Sequence, residues 1–280
     1  MEASGSTVND IVWEFFGESV WDSLCKDNGA KLKSYRGIFF YIRELDFATE
    51  FGVLPGYLTE ICGVAFSGRT QLCVKLCINV CIPAALHGLD GESLYIDSRQ
   101  KFHPRMIEHL VASTNTVMKK QFVRINFKLT AEEVRRRMHY MDIISEKEFL
   151  TMLGTLKDYL KQHPRIRLVV IDSLIAFFHN YAGRSIQRVK HLLEILFRLD
   201  AIAAECDVAM VIVNDMTTKI APDGRSSKVI PALGTYFANK IPFILQLSPT
   251  LNGKYMALLQ KNYKNSGKSI CYDFCRPNEN

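Results

Sequence analysis

No apolar run in this chain approaches the roughly 18–20 residues that a helix needs to cross a bilayer. The opening stretch, MEASGSTVNDIVWEFF, lacks the basic and then apolar segments of a signal peptide, so no secretory leader is expected. No two cysteines stand at C-x-x-C spacing. The eight cysteines lie mostly inside apolar segments, which points to reduced cytosolic or nuclear chemistry rather than a disulfide scaffold. Internal repeats and low-complexity tracts are also missing. So is any strong charge imbalance: the net charge of +6 tolerates a polyanionic partner but gives no basic tail that would by itself argue for nucleic acid.

What is present is an ordinary globular balance, 48% hydrophobic and 23% charged over 280 residues. That length suits one α/β domain with a modest appendage. Residues 1–44 read as a short N-terminal lead-in or linker, and residues 45–280 as the core. In the lead-in, Asp10–Phe16 carries large apolar side chains that need a surface, on this domain or on a neighbouring subunit. Gly52-Val53-Leu54-Pro55-Gly56 then turns the chain into a first strand. Ser93–Asp97 reads as the next strand, His103–Ala112 as a helix with Pro104 in its first turn, and Gln121–Phe127 as an alternating strand. Thr130 with Glu133 and Ser145 with Glu148 fit capping boxes at two helix starts. Arg167–Ser173 and Asp207–Val213 are continuous apolar runs of the kind buried on both faces of a parallel sheet, separated by a long amphipathic helix over Ser185–Glu205. A polar loop is expected over Asn214–Ile230, then three strand-like pieces at Pro242–Leu247, Lys254–Gln260 and Ser269–Phe274. This order predicts a mainly parallel α/β sheet between helices with a C-terminal antiparallel run. Cys73, Cys77 and Cys81 share one helix face and read as buried thiols, a metal site being the other possibility.

The chemistry gathers at the strand ends. After Leu58–Cys62 the chain reads Gly63-Val64-Ala65-Phe66-Ser67-Gly68-Arg69-Thr70-Gln71, a G-x-x-x-x-G-[KR]-T loop opening a helix over Thr70–Cys81. Such a loop cradles phosphate with backbone N–H groups at a helix N-terminus, and Thr70 is placed to reach Mg²⁺. Arg69 stands where a P-loop has lysine. It keeps the charge but is a broader, planar group that cannot occupy the same point between phosphates. Asp172, closing the most apolar strand, fits the carboxylate that holds Mg²⁺ in such sites. The loop therefore reads as a weakened nucleotide site, or as a relic kept for packing.

These residues resemble a family. Glu60–Gly63 with Gly68–Cys73, and Val169–Ser173, are similar to the phosphate loop and Mg²⁺-binding strand of eukaryotic RecA-family recombinases. Asn214–Ile220 and Pro231–Gly234 resemble the second DNA-facing loop of one paralogue subgroup, the C-type, spindle-D-like one. The resemblance covers about residues 45–274. It implies a RecA-like P-loop NTPase core that binds ATP and Mg²⁺ through Gly63–Gln71, Thr70 and Asp172. It also implies DNA-facing charge at Arg184, Arg188, Lys219, Arg225 and Lys228. The implied setting is the nucleus, in hetero-oligomers with other recombinase paralogues. There it would assist the main strand-exchange recombinase on single-stranded or branched DNA, in double-strand break repair and meiotic recombination.

Three positions depart from the family pattern. Arg99 stands where the catalytic Glu should be, Asp215 where a Gln senses the terminal phosphate, and Met106, or Arg105 beside it, where an arginine stacks on adenine. A cation cannot orient or deprotonate water as a carboxylate does, so slow turnover or none is expected. The family's N-terminal DNA-binding domain is matched only by the short lead-in, which is closer to a polymerisation linker. An active DNA-dependent ATPase completed by a partner subunit is the alternative, and an unrelated P-loop kinase is the third reading.

Overall fold

The computed structural model describes residues 37–50, 52–122, 127–178, 185–220, 227–252, 254–261 and 268–272. Among the described residues nine strands make one sheet. In order across it lie β3 (Met138–Asp142), β2 (Glu92–Asp97), β4 (Ile166–Asp172), β5 (Ala209–Ile220), β1 (Leu58–Gly63), β7 (Phe243–Pro249), β8 (Tyr255–Lys261) and β9 (Lys268–Tyr272), with β6 (Ser227–Pro231) paired to the end of β5. From β3 to β7 all pairings are parallel, and β8 and β9 return antiparallel. The expected α/β fold, with an antiparallel C-terminal run, is the observed one.

The inner parallel strands are mostly apolar because both faces are covered. Along β4, Leu168 and Val170 face one core layer, while Val169 and Ile171 face the other. The first layer is closed by α2 (Arg69–Asn79), α3 (Arg105–Gln121) and α4 (Ala131–Arg137), after the short α1 (Arg43–Thr49). The second is closed by α5 (Glu146–Gln162) and α6 (Ser185–Cys206), with α7 (Thr235–Lys240) at its edge. Thr130 and Ser145 form the two capping boxes, each hydroxyl accepting from a backbone N–H while the Glu three residues on accepts from the cap residue. Cys73 and Cys77 are buried free thiols on the inner side of α2, and Cys81, just past its end, is a third.

Three elements differ from expectation. The helix beginning near His103 runs to Gln121 instead of stopping at Ala112, so Gln121 is its last residue and not the start of a strand. Residues 123–126 lie outside the described set. Met138–Asp142 is an edge strand that sequence reading passed over. Asn214–Ile230 is not a loop: β5 continues to Ile220 and pairs antiparallel with β6, the intervening 221–226 being outside the described residues. Of the lead-in, residues 1–36 and with them Asp10–Phe16 lie outside the described residues. Ile38 and Phe40 are buried in the first core layer, where Ile38 bridges to Val53.

Candidate nucleotide site

Because β1, β4, β5 and β2 run parallel, their carboxyl ends open on one edge of the sheet. The loop after β1 starts at Gly63, where a Cβ would lie 2.5 Å from both the Leu247 carbonyl oxygen and Ser67 Oγ. Only glycine fits there. At the far end, Gly68 takes φ 83 to turn the chain into α2. Val64, Ala65 and Phe66 form an exposed crest, Phe66 at 93% exposure, while Ser67 is buried. Among the described residues Ser67 Oγ has no hydrogen-bond partner, a donor left free inside the loop.

Behind the loop, Asp172 Oδ2 accepts from Thr70 Oγ1 at 2.7 Å and from the Tyr95 hydroxyl at 2.7 Å. Hydroxyl and carboxylate oxygens paired in this way are the hard ligands Mg²⁺ takes. Gln71 Oε1 instead accepts from the Tyr255 hydroxyl at 3.1 Å, tying α2 to β8.

Arg69 does not point into the loop. Its Nη1 donates to the Asn214 carbonyl oxygen at 2.8 Å and pairs with Asp215 Oδ1 at 2.5 Å. Strand register explains the meeting, since Asp215 lies directly across from Gly63 in the β1–β5 pair. The other oxygen of the same carboxylate pairs with Arg99. Burial pushes the Asp215 carboxyl up, but the hydrogen bonds and charges of Arg69 and Arg99 outweigh it and hold it below its ordinary value. Asp97 is occupied as well, accepting from the backbone N–H groups of Arg99 and Phe102 and from the Tyr140 hydroxyl.

Asn214 anchors the base of the β5–β6 hairpin. Its Nδ2 donates to Glu60 Oε1 at 2.7 Å, its Oδ1 accepts from Leu233 N–H at 3.3 Å, and the next carbonyl, of Asp215, accepts from Ala232 N–H at 2.8 Å. Burial raises the Glu60 carboxyl to about 7, the Asn214 bond pulling it partly back. Sequence reading missed Glu60, Asn214, Tyr95 and Tyr255. A Glu inside an otherwise apolar strand was the one visible signal.

The expected DNA-facing residues divide. Lys219 and Lys228 are both exposed and stand directly opposite each other across the β5–β6 pair. Like charges so placed repel, and an anion between them would relieve it. Arg188 lies half-buried in the first turn of α6, away from that hairpin in sequence. Arg184 and Arg225 lie outside the described residues. Of the two candidates for the adenine-stacking position, Met106 packs against the first core layer and Arg105 is exposed.

A Rad51 family profile matches residues 40–232, from just before α1 to just past the end of β6. The chain belongs to the Rad51 family. Among its relatives are two proteins named DNA repair protein RAD51 homolog 3. The one from Dictyostelium discoideum is 29% identical over 202 residues, covering 70% of this chain and 53% of the relative. The one from Cricetulus griseus is 31% identical over 187 residues, covering 63% and 50%. The chain thus spans about half the length of these curated relatives. At this site stand the loop glycines Gly63 and Gly68, Thr70 and Asp172. Its three arginine and aspartate side chains at the mouth are joined to one another. No helix of the described residues is long and apolar enough to cross a membrane.

Proposed function

We propose that this chain is a recombinase-paralogue subunit acting in homologous recombination and double-strand break repair, meiotic recombination included. In this reading it holds Mg²⁺-ATP weakly and turns it over slowly or not at all. The observation carrying the reading is that Asp215 engages both Arg69 and Arg99. The cation meant for the phosphates is committed elsewhere, and the position that should orient water carries a guanidinium. The family membership and the relatives named for DNA repair support the setting.

The residues fit the nucleotide at the loop and depart from it at Arg69. The backbone N–H groups at the start of α2 and the free Ser67 hydroxyl would take the phosphates, and Thr70 and Asp172 the Mg²⁺. Bound there, Mg²⁺ would neutralise phosphate charge. The chain's own residues supply binding and orientation. Among the described residues near the loop, Asp97 is held by three donors and Asp172 by two hydroxyls.

DNA would be met by Lys219 and Lys228 on the hairpin with Arg184, Arg188 and Arg225, single-stranded or branched DNA being the form expected. Partners would be other recombinase paralogues and the main strand-exchange recombinase, in the nucleus. The exposed crest of Val64 and Phe66 favours a second reading, in which a partner subunit covers the loop and completes an active ATPase.

A turnover assay on the complex co-purified with candidate paralogues separates the two. Hydrolysis stimulated by DNA and abolished by Asp172→Ala would refute the non-catalytic reading. Under the first reading, Arg69→Lys with Arg99→Glu raises turnover substantially; under the second it changes little.

A further inference from the structure

We infer that the site is selective for nucleoside diphosphates, with the Asp215 carboxylate taking up the two cations that a terminal phosphate would need. This rests on the nucleotide reading of the loop given above.

In a phosphate loop, the side chain before the Ser/Thr reaches the β- and γ-phosphates. Here that side chain, Arg69, is held by the Asp215 carboxylate at 2.5 Å and by the Asn214 carbonyl at 2.8 Å, and is almost fully buried in that position. Arg99 pairs with the opposite oxygen of the same carboxylate. An anion bridging two guanidiniums is the arrangement a terminal phosphate would make, and it is already made by the protein. Asp215 is also fixed by its backbone, across from Gly63 in the β1–β5 register and bonded through its carbonyl to Ala232. The carboxylate is held in place and does not hang on a mobile loop.

The charges around the loop decide the consequence. Arg69, Arg99, Asp215 and Asp172 sum to zero, so these four leave no net charge to draw in a third phosphate. A third phosphate would also meet the Asp215 carboxylate, which its two arginines keep ionised. The inner part of the site is untouched by this. The loop amides, the unpartnered Ser67 hydroxyl and the Thr70–Asp172 pair remain available to a diphosphate and its Mg²⁺.

The test is calorimetric titration of the full chain, alone and in its co-purified complex, with Mg²⁺-ADP and with a non-hydrolysable Mg²⁺-ATP analogue. The diphosphate is expected to bind at least about tenfold more tightly. Asp215→Asn should bring the two within about threefold, chiefly by improving the triphosphate, because two guanidiniums are released. Asp215→Glu should keep a preference for the diphosphate. Retained diphosphate affinity in Asp215→Asn reports that the variant is folded. Equal wild-type affinities would overturn the selectivity, and a preference that survives Asp215→Asn would overturn its assignment to the Asp215 carboxylate; both leave the nucleotide reading intact. Binding of neither nucleotide by chain or complex would overturn both.

Discussion

Replacing Glu60 by Gln removes one ionisable group from the middle of the sheet without changing its shape. Glu60 is fully buried on β1, three residues before the loop; its Oε1 accepts from Asn214, and among the described residues its Oε2 has no partner. Burial, offset in part by the Asn214 bond, raises the carboxyl from 4.5 to about 7. Between these values the unfolded chain has released the proton and the folded chain keeps it. Stability from this group is therefore fully present below 4.5, falls as pH rises through the interval, and levels off above 7. At about 1.4 kcal/mol per unit, the loss amounts to roughly 3–4 kcal/mol as an upper bound. Gln keeps the oxygen that Asn214 needs and cannot ionise. Glu60→Gln should be close to neutral at about pH 4 and more stable than wild type by roughly 3 kcal/mol at about pH 8. Urea unfolding at the two pH values measures both differences. Asp46 gives an internal comparison: burial raises it to about 7 against the opposing N–H bonds of Phe40 and Ile42, so the variant keeps a falling profile of smaller slope. An effect of Glu60→Gln that is the same at both pH values would refute the buried-carboxyl argument.

Two substitutions probe the supports of the loop. Tyr95→Phe deletes a buried hydroxyl that donates to Asp172 and leaves Thr70 as that carboxylate's donor; chemical denaturation should show a loss of roughly 2 kcal/mol, the range for a hydrogen bond to a charged group. Asn79→Ala leaves the Phe39 and Phe40 carbonyls, 2.8 and 2.9 Å from Asn79 Nδ2, without that donor. It should cost roughly 2–3 kcal/mol, and its effect should add to that of Tyr95→Phe in the double variant if the two sites are independent.

What could be read from the sequence was local or periodic. Both capping boxes were legible because hydroxyl and Glu lie three residues apart, and β4 because its apolar run is unbroken up to Asp172. The loop was legible because its glycines and Thr70 keep fixed spacing. β3 was not, since it follows Arg137 without a turn signal and is specified by pairing with β2 at the sheet edge. The second half of β5 was taken for a loop because Thr217, Thr218 and Lys219 face water; what makes it a strand is its pairing with β6, where Val229 and Ile230 stand opposite Thr218 and Thr217. The arginine–aspartate cluster was the least accessible. Each departure from the family pattern was visible alone, but Arg69 and Asp215 are 146 residues apart, and only the β1–β5 register brings them together.

That register also bears on how the protein is made. The strand carrying the loop is flanked by β5 and β7, both of which leave the ribosome long after it. Until Phe243–Pro249 has been synthesised, β1 can have at most one parallel neighbour, and Gly63 lacks the Leu247 carbonyl that closes one side of its turn. Pairings so distant in sequence form late and leave a bare sheet edge exposed in the interval. A chain cut short by a premature stop before β7 would therefore lose the loop's architecture along with its C-terminal strands, and would present the cell's quality control with an unpaired, largely apolar edge.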